Sequence, residues 1–173
     1  PAPAAASSTA ATGSPAPAAG SPASADYVTI PLSRTRQEIA RVTRESFGNA
    51  PHFYVTRRVE MTAVMARIEE YRRSGRKITV NDVLVKAAAM ALRKHPEVNV
   101  SFHGDHLRRY NRINIGVAMA MDDGVRIPVV HQADQLSVEQ IHEEIQGLRQ
   151  RMQSGRMRAG DMTGATFTVS NLG

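Results

Sequence analysis

The sequence predicts an α/β domain, an α+β mixed sheet flanked by helices, and three observations carry that prediction. Two segments, 79–96 and 137–154, repeat apolar residues at helical spacing between recognisable caps. Between them "INIGVAMAM" and "VRIPVV" are apolar runs of strand length, joined by an Asp122-Asp123-Gly124 turn. The chain then closes on "ATFTVSNLG", 165–173, β-branched and aromatic until a Ser-Asn turn. The order helix, strand, helix, helix, strands, helix, strand fits neither a repeat array nor a helical bundle.

Each element follows from local chemistry. Ser33 is a good N-cap for a helix to about Phe47, with Ile39, Val42 and Phe47 on its apolar stripe. "GNAP" breaks it, and "HFYVTRRV", 52–59, alternates like a half-buried strand. A second helix from Thr62 carries Val64, Met65, Ile68 and Tyr71 on one stripe. "RRSGRK" closes it, with Gly75 near the C-cap and positive charge at the dipole's negative end.

Thr79 or Asn81 can cap the third helix, Lys94 and His95 lie at its end, and Pro96 stops it. Its apolar content runs almost all the way round, which predicts a central, buried helix. "VNVSF" and "HLRRY" are short strands. "INIGVAMAM", apolar on both faces, suits an interior strand covered on both sides. Ser137 and Gln140 make a capping box for the last helix, whose core face is Val138, Ile141, Ile145, Leu148 and Met152.

Composition divides the 173 residues unevenly. Residues 1–25 hold only Ala, Pro, Ser, Thr and Gly, which cannot bury enough surface to offset ordering entropy. They are expected to form an extended, mobile linker, and 26–173 the folded part. No signal peptide and no membrane-spanning run is present. A chain that opens on Pro in mid-linker is expected to be a piece of something longer.

The absence of cysteine excludes disulfides, thiolate catalysis and Cys-ligated metals. The net charge of +6 falls in the folded part and would suit an anionic cofactor or an acidic partner. Nucleic acid is disfavoured: aromatics are 5% of residues, Trp is absent, and the Arg pairs form no single stripe.

Candidate chemistry is sparse. His52, His95, His103, His106, His131 and His142 lie at loops, element ends or a polar helix side. None has a Ser or carboxylate at triad spacing, and none forms a His-x-x-x-His pair. No metal site is expected, since His103 and His106 lack a third ligand and Asp122-Asp123-Gly124 lacks the oxygen ligands of a calcium loop. No Gly-rich phosphate loop occurs. Ser170 stays open between two readings: a strand-end hydroxyl satisfying its own backbone, or a preorganised hydrogen-bond donor to an oxyanion.

Five stretches in order resemble the catalytic domain of the dihydrolipoamide acyltransferases, the E2 components of the 2-oxo acid dehydrogenase complexes. They are "IPLSRTRQEIA", "APHFYVTRRVEM", "TVNDVLVKAAAMALRKHPEVNVSF", "NIGVAMAMDDGVRIPVV" and "GATFTVSNLG", and their order and spacing match along nearly all of 27–173. The resemblance implies a chloramphenicol acetyltransferase-like fold assembled as trimers that build a large hollow core. It implies transfer of an acyl group, acetyl above others, between a dihydrolipoyl thiol and coenzyme A. The lipoyl group would ride on an upstream domain, and E1 and E3 components would bind through upstream domains as well. A cytoplasmic setting follows, or the mitochondrial matrix in a eukaryote.

By the same resemblance, Ser170 is the hydroxyl that stabilises the tetrahedral oxyanion across a subunit boundary. Asn171 lies where the family approaches coenzyme A, and Thr79 falls on a position that carries a coenzyme A-contacting hydroxyl in some members. The family's general-base histidine sits in an Asp-His-Arg motif downstream of Ser-Asn-Leu-Gly, and none of the six histidines matches it. The catalytic domain is therefore expected to be incomplete, and the fragment inactive and poorly stable alone. The alternative is a non-catalytic scaffold relative that binds partners. A stand-alone acetyltransferase is disfavoured by the Ala/Pro tether.

Overall fold

The computed structural model describes residues 27–122 and 124–172, so the linker expected over 1–25 lies outside the described residues. Residues 27–32 carry no helix or strand and belong to a separate unit; the main unit begins at Ser33. Four helices are described: α1 (Arg34–Asn49), α2 (Thr62–Arg73), α3 (Val80–Lys94) and α4 (Val138–Gln153). Seven short strands accompany them: β1 (Val100–Phe102), β2 (Leu107–Arg109), β3 (Ile115–Val117), β4 (Met119–Met121), β5 (Gly124–Arg126), β6 (Val129–Val130) and β7 (Phe167–Val169).

Capping chemistry sets the helix starts. The Ser33 hydroxyl accepts from the Arg36 N–H at the head of α1. Thr79 is the cap of α3, which decides between the two expected residues. Its Oγ1 accepts from the Asp82 N–H, and the Asp82 carboxylate accepts in return from the Thr79 N–H at 2.7 Å. Ser137 and Gln140 form the expected reciprocal box at α4.

The α3 expectation needs correction. Asp82, Val85, Ala89 and Leu92 are buried along one stripe, while Ala87, Met90 and Ala91 are exposed. Alanine counts as apolar in a pattern, yet its single methyl costs little to leave in water, so its faces do not demand a cover.

Three small sheets result. The central one has the order β6-β3-β7, antiparallel between β3 and β6 and parallel between β3 and β7. β1 pairs β2 and β4 pairs β5, both antiparallel. The expected strand "INIGVAMAM" is thus two strands. The break falls at Ala118, whose N–H is the last to reach β7, at the Val169 carbonyl, before Met119 begins the hairpin with β5. "VRIPVV" likewise divides into β5 and β6 around Pro128, which has no N–H for a ladder. The expected strand over 52–59 forms no ladder with any described strand and is exposed throughout.

The core lies where α3 and α4 pack on each other and against the central sheet. β3 is buried at all three positions, as expected of an interior strand. Val85, Ala89 and Leu92 of α3 and Ile141, Ile145, Leu148 and Met152 of α4 belong with it to one buried cluster. At about 1.5–3 kcal/mol for each large side chain withdrawn from water, this cluster dominates the stability of the unit. Lys86 adds a polar clasp: its ammonium donates to the Asp134 and Leu136 carbonyls, pinning the loop that leads into α4. Burial pushes its pKa down.

Candidate active site

The position of Ser170 follows from the pairing of β7. Ile115, Gly116 and Val117 align with Phe167, Thr168 and Val169 in parallel register, and Ala118 N–H continues the ladder to Val169 O at 3.0 Å. Asn114, at the head of β3, fixes where that register begins. Its Nδ2 donates to Gly164 O at 2.8 Å and its Oδ1 accepts from Gln132 N–H at 2.9 Å, while its backbone carbonyl accepts from Thr166 N–H. One buried amide therefore ties the loop after β6 to the loop before β7. A polar residue inside an otherwise apolar strand run was the signal that could have singled it out.

A second clasp holds the approach to β7. The Arg151 guanidinium forks onto Asp161 through Nε and Nη2 at 2.9 and 3.0 Å, and Nη2 also donates to Glu144 at 3.2 Å. The Asp161 carboxylate also accepts the Arg158 N–H. Arg151 holds the Asp161 carboxyl below the usual carboxylate range, with the Arg158 N–H assisting and burial opposing.

Ser170 and Asn171 are both exposed at the end of β7. Asn171 lines a cavity of about 440 Å³ whose other walls are Asn81, the 118–121 segment, Arg149, Met152 and Gln153. Its character is mixed: three methionines give a soft apolar floor, three side-chain amides offer donors and acceptors, and one guanidinium supplies charge. Thr79 does not line this cavity. Its hydroxyl is engaged with Asp82, donating to the carboxylate at 2.7 Å and accepting from the backbone. Asn81, two residues on, is the α3 residue that reaches the cavity.

None of the six histidines is among the residues lining the cavity. Four have partners within two residues, the Ala50 carbonyl for His52, Glu97 for His95, Ser101 for His103 and Asp105 for His106, while His131 reaches the Gly160 carbonyl. The sixth, His142, departs from the expected polar helix side. It is partly buried, and its Nδ1 lies 2.8 Å from the carboxylate of buried Asp82, joining α4 to the cap of α3. Sixty positions separate the pair in sequence, so no spacing argument could have found it.

Sheet, helices and the Ser-Asn strand end together define a mixed α/β core. Among solved structures, the Azotobacter vinelandii dihydrolipoamide acetyltransferase is similar with a TM-score of 0.77 and 30% identity, over 86% of this chain and 63% of that one. That enzyme was investigated for the role of a serine, a histidine and an asparagine in its catalytic mechanism. The cubic core of a pyruvate dehydrogenase multienzyme complex matches with a TM-score of 0.76 and 31% identity, over 85% of this chain and 63% of that one. In sequence, component 3 of the Arabidopsis thaliana mitochondrial dihydrolipoyllysine-residue acetyltransferase of the pyruvate dehydrogenase complex is 38% identical over 153 residues. The match takes in 86% of this chain and 28% of that relative's length. The family described as 2-oxoacid dehydrogenases acyltransferase (catalytic domain) matches residues 24–173, and the chain belongs to it.

Proposed function

We propose that the chain is part of an acyltransferase that moves an acetyl group between a dihydrolipoyl thiol and coenzyme A, with Ser170 as oxyanion donor. The observation that carries this reading is the β3–β7 register. It delivers Asn171 to the wall of a cavity with polar and apolar sides, and leaves the exposed Ser170 hydroxyl one residue before it.

In the forward step the thiolate sulfur of coenzyme A adds to the thioester carbon of the acyl-lipoyl group. The carbonyl π electrons move to oxygen, and Ser170 Oγ–H donates a hydrogen bond to that oxyanion. The intermediate then collapses, the carbon–sulfur bond to the lipoyl carrier breaks, and the departing thiolate takes up the proton lost by coenzyme A. Negative charge develops on this oxygen only as the addition proceeds, so a donor aimed at it acts on the transition state more than on the bound substrate. The proton acceptor is a histidine outside the cavity described above, supplied, as the family resemblance implies, by an Asp-His-Arg segment that 1–173 does not contain.

The wider assembly follows the relatives. The chain would join copies of itself in a multienzyme core, with the lipoyl group presented from a separate domain and the E1 and E3 components bound elsewhere on the full polypeptide. The segment 1–25 would act as the tether and 26–173 as part of the transferase domain.

The test is Ser170→Ala in the full-length protein. Loss of one oxyanion donor is expected to lower kcat by about a hundredfold, with KM for both thiols changed by less than about twofold. Unchanged kcat in an assembled, active protein would overturn the role of Ser170.

A further inference from the structure

The cavity beside Asn171 has one charged side chain in its wall, and its electrostatic situation is unusual for this helix. Arg149 and Arg151 are two positions apart on α4. Arg151 is saturated by Asp161 and Glu144. Arg149 has no carboxylate partner among the described residues. Its neighbours one turn away on α4 are Ile145, Gln146, Met152 and Gln153, none of them acidic. Glu139, the acid nearest the start of α4, is committed to Arg76 at 3.0 Å. The remaining cavity walls are neutral. A planar guanidinium left without a carboxylate, exposed at the rim of a concave site, is suited to bidentate recognition of a phosphate.

The two thiols of the proposed reaction differ in this respect. Dihydrolipoamide is neutral, whereas coenzyme A carries a pyrophosphate and a ribose phosphate on an amide-rich pantetheine arm. The amides of Asn81, Gln153 and Asn171 match the arm's peptide-like groups, and the methionine floor suits its alkyl portions. We infer that Arg149 is the specificity-determining residue that makes this cavity the coenzyme A side of the site, its guanidinium meeting a phosphate while neutral dihydrolipoamide bypasses it. This inference rests on the acyltransferase reading and assigns a task within it.

The experiment uses the full-length protein and separates the two thiols. Initial rates are measured for the wild type, Arg149→Gln and Arg149→Lys, varying coenzyme A and dihydrolipoamide in turn, with pantetheine as a phosphate-free acceptor. Arg149→Gln is expected to raise KM for coenzyme A about tenfold, the scale of one charge-assisted hydrogen bond at a solvated rim. Its KM for dihydrolipoamide and for pantetheine stays at the wild-type value, and kcat changes by less than about twofold. Arg149→Lys recovers part of the loss. The wild-type KM for coenzyme A rises with ionic strength, and that of Arg149→Gln rises less.

An active wild type with an unchanged KM for coenzyme A in Arg149→Gln overturns the inference and leaves the acyltransferase reading intact. Equal losses toward coenzyme A and pantetheine overturn it as well, because they show a shape effect and not phosphate recognition. A wild type without acyl transfer to any thiol overturns the acyltransferase reading itself.

Discussion

The start of the folded unit and its centre are alike in sequence and opposite in structure. α1 and residues 52–59 carry apolar side chains at regular spacing, as do α3, β3 and α4. Yet α1 buries none of its residues and 52–59 are exposed throughout, whereas α3 and α4 bury four residues each and β3 is wholly covered. Periodicity tells which face of an element is apolar; it does not tell what will lie against that face.

The largest expected effect tests this directly with one substitution made twice. Val85 in α3 is 0% exposed, and Val42 in α1 is 49% exposed. Both sit in helices, so the gain in helix propensity on going to Ala is the same and cancels. Val85→Ala is expected to cost about 2–3 kcal/mol, from lost transfer energy and the cavity left behind. Val42→Ala should stay within about 0.5 kcal/mol. Urea unfolding followed by circular dichroism measures both, and equal losses would erase the distinction between the two regions.

Glycines sharpen the comparison because the same change should reverse sign. A Cβ on Gly116 in β3 would lie 2.7 Å from Ile127 Cγ2 and 3.3 Å from Thr168 Oγ1. Gly116→Ala is therefore expected to destabilise by about 1–2 kcal/mol. Since Thr168 lies two residues before Ser170, acyl transfer should fall too. A Cβ on Gly48 in α1 meets nothing within 4 Å. Gly48→Ala is expected to stabilise by up to about 0.5 kcal/mol through the unfolded chain's lost freedom. Thermal unfolding of the two variants gives the signs.

Legibility in the sequence divides along the same line. Helix starts were readable because a cap is local: Ser33, Thr79 and Ser137 each bond within three residues. The core face of α4 was readable because Ile141, Ile145, Leu148 and Met152 keep a strict period. The break at Ala118 was not, since it depends on where Val169 O arrives from 51 positions away. Ser170 and Asn171 were found through resemblance and the strand pattern. Arg149 and Asn81 were invisible as cavity residues, because only the packing of α4 beside α3 brings them to one wall. The Asp82–His142 pair is the same case in polar form.

Ion pairs give the smallest contrast and the most specific one. In α1, Arg41 forks between Glu38 at 2.6 Å and Glu45 at 2.9 Å, with all three side chains about 60% exposed, so water and salt screen the attraction. In the centre, the side chains of Arg151 and Asp161 are 22% and 10% exposed. Arg151 keeps the Asp161 carboxyl more acidic than in the unfolded chain. The unfolded state therefore binds the proton first as pH falls, and stability drops with it. The contribution is complete above the ordinary aspartate value of about 3.9 and is lost as pH falls through the lower folded value. Asp161→Asn should cost about 1–2 kcal/mol at pH 7, and its deficit should begin to shrink only below about pH 4, closing once the pH lies under the lower folded value. Glu38→Gln should leave the unfolding midpoint unmoved at either pH. A wild-type advantage over Asp161→Asn that persists undiminished in acid would mean that shape and hydrogen bonding, rather than charge, hold the loop in front of β7.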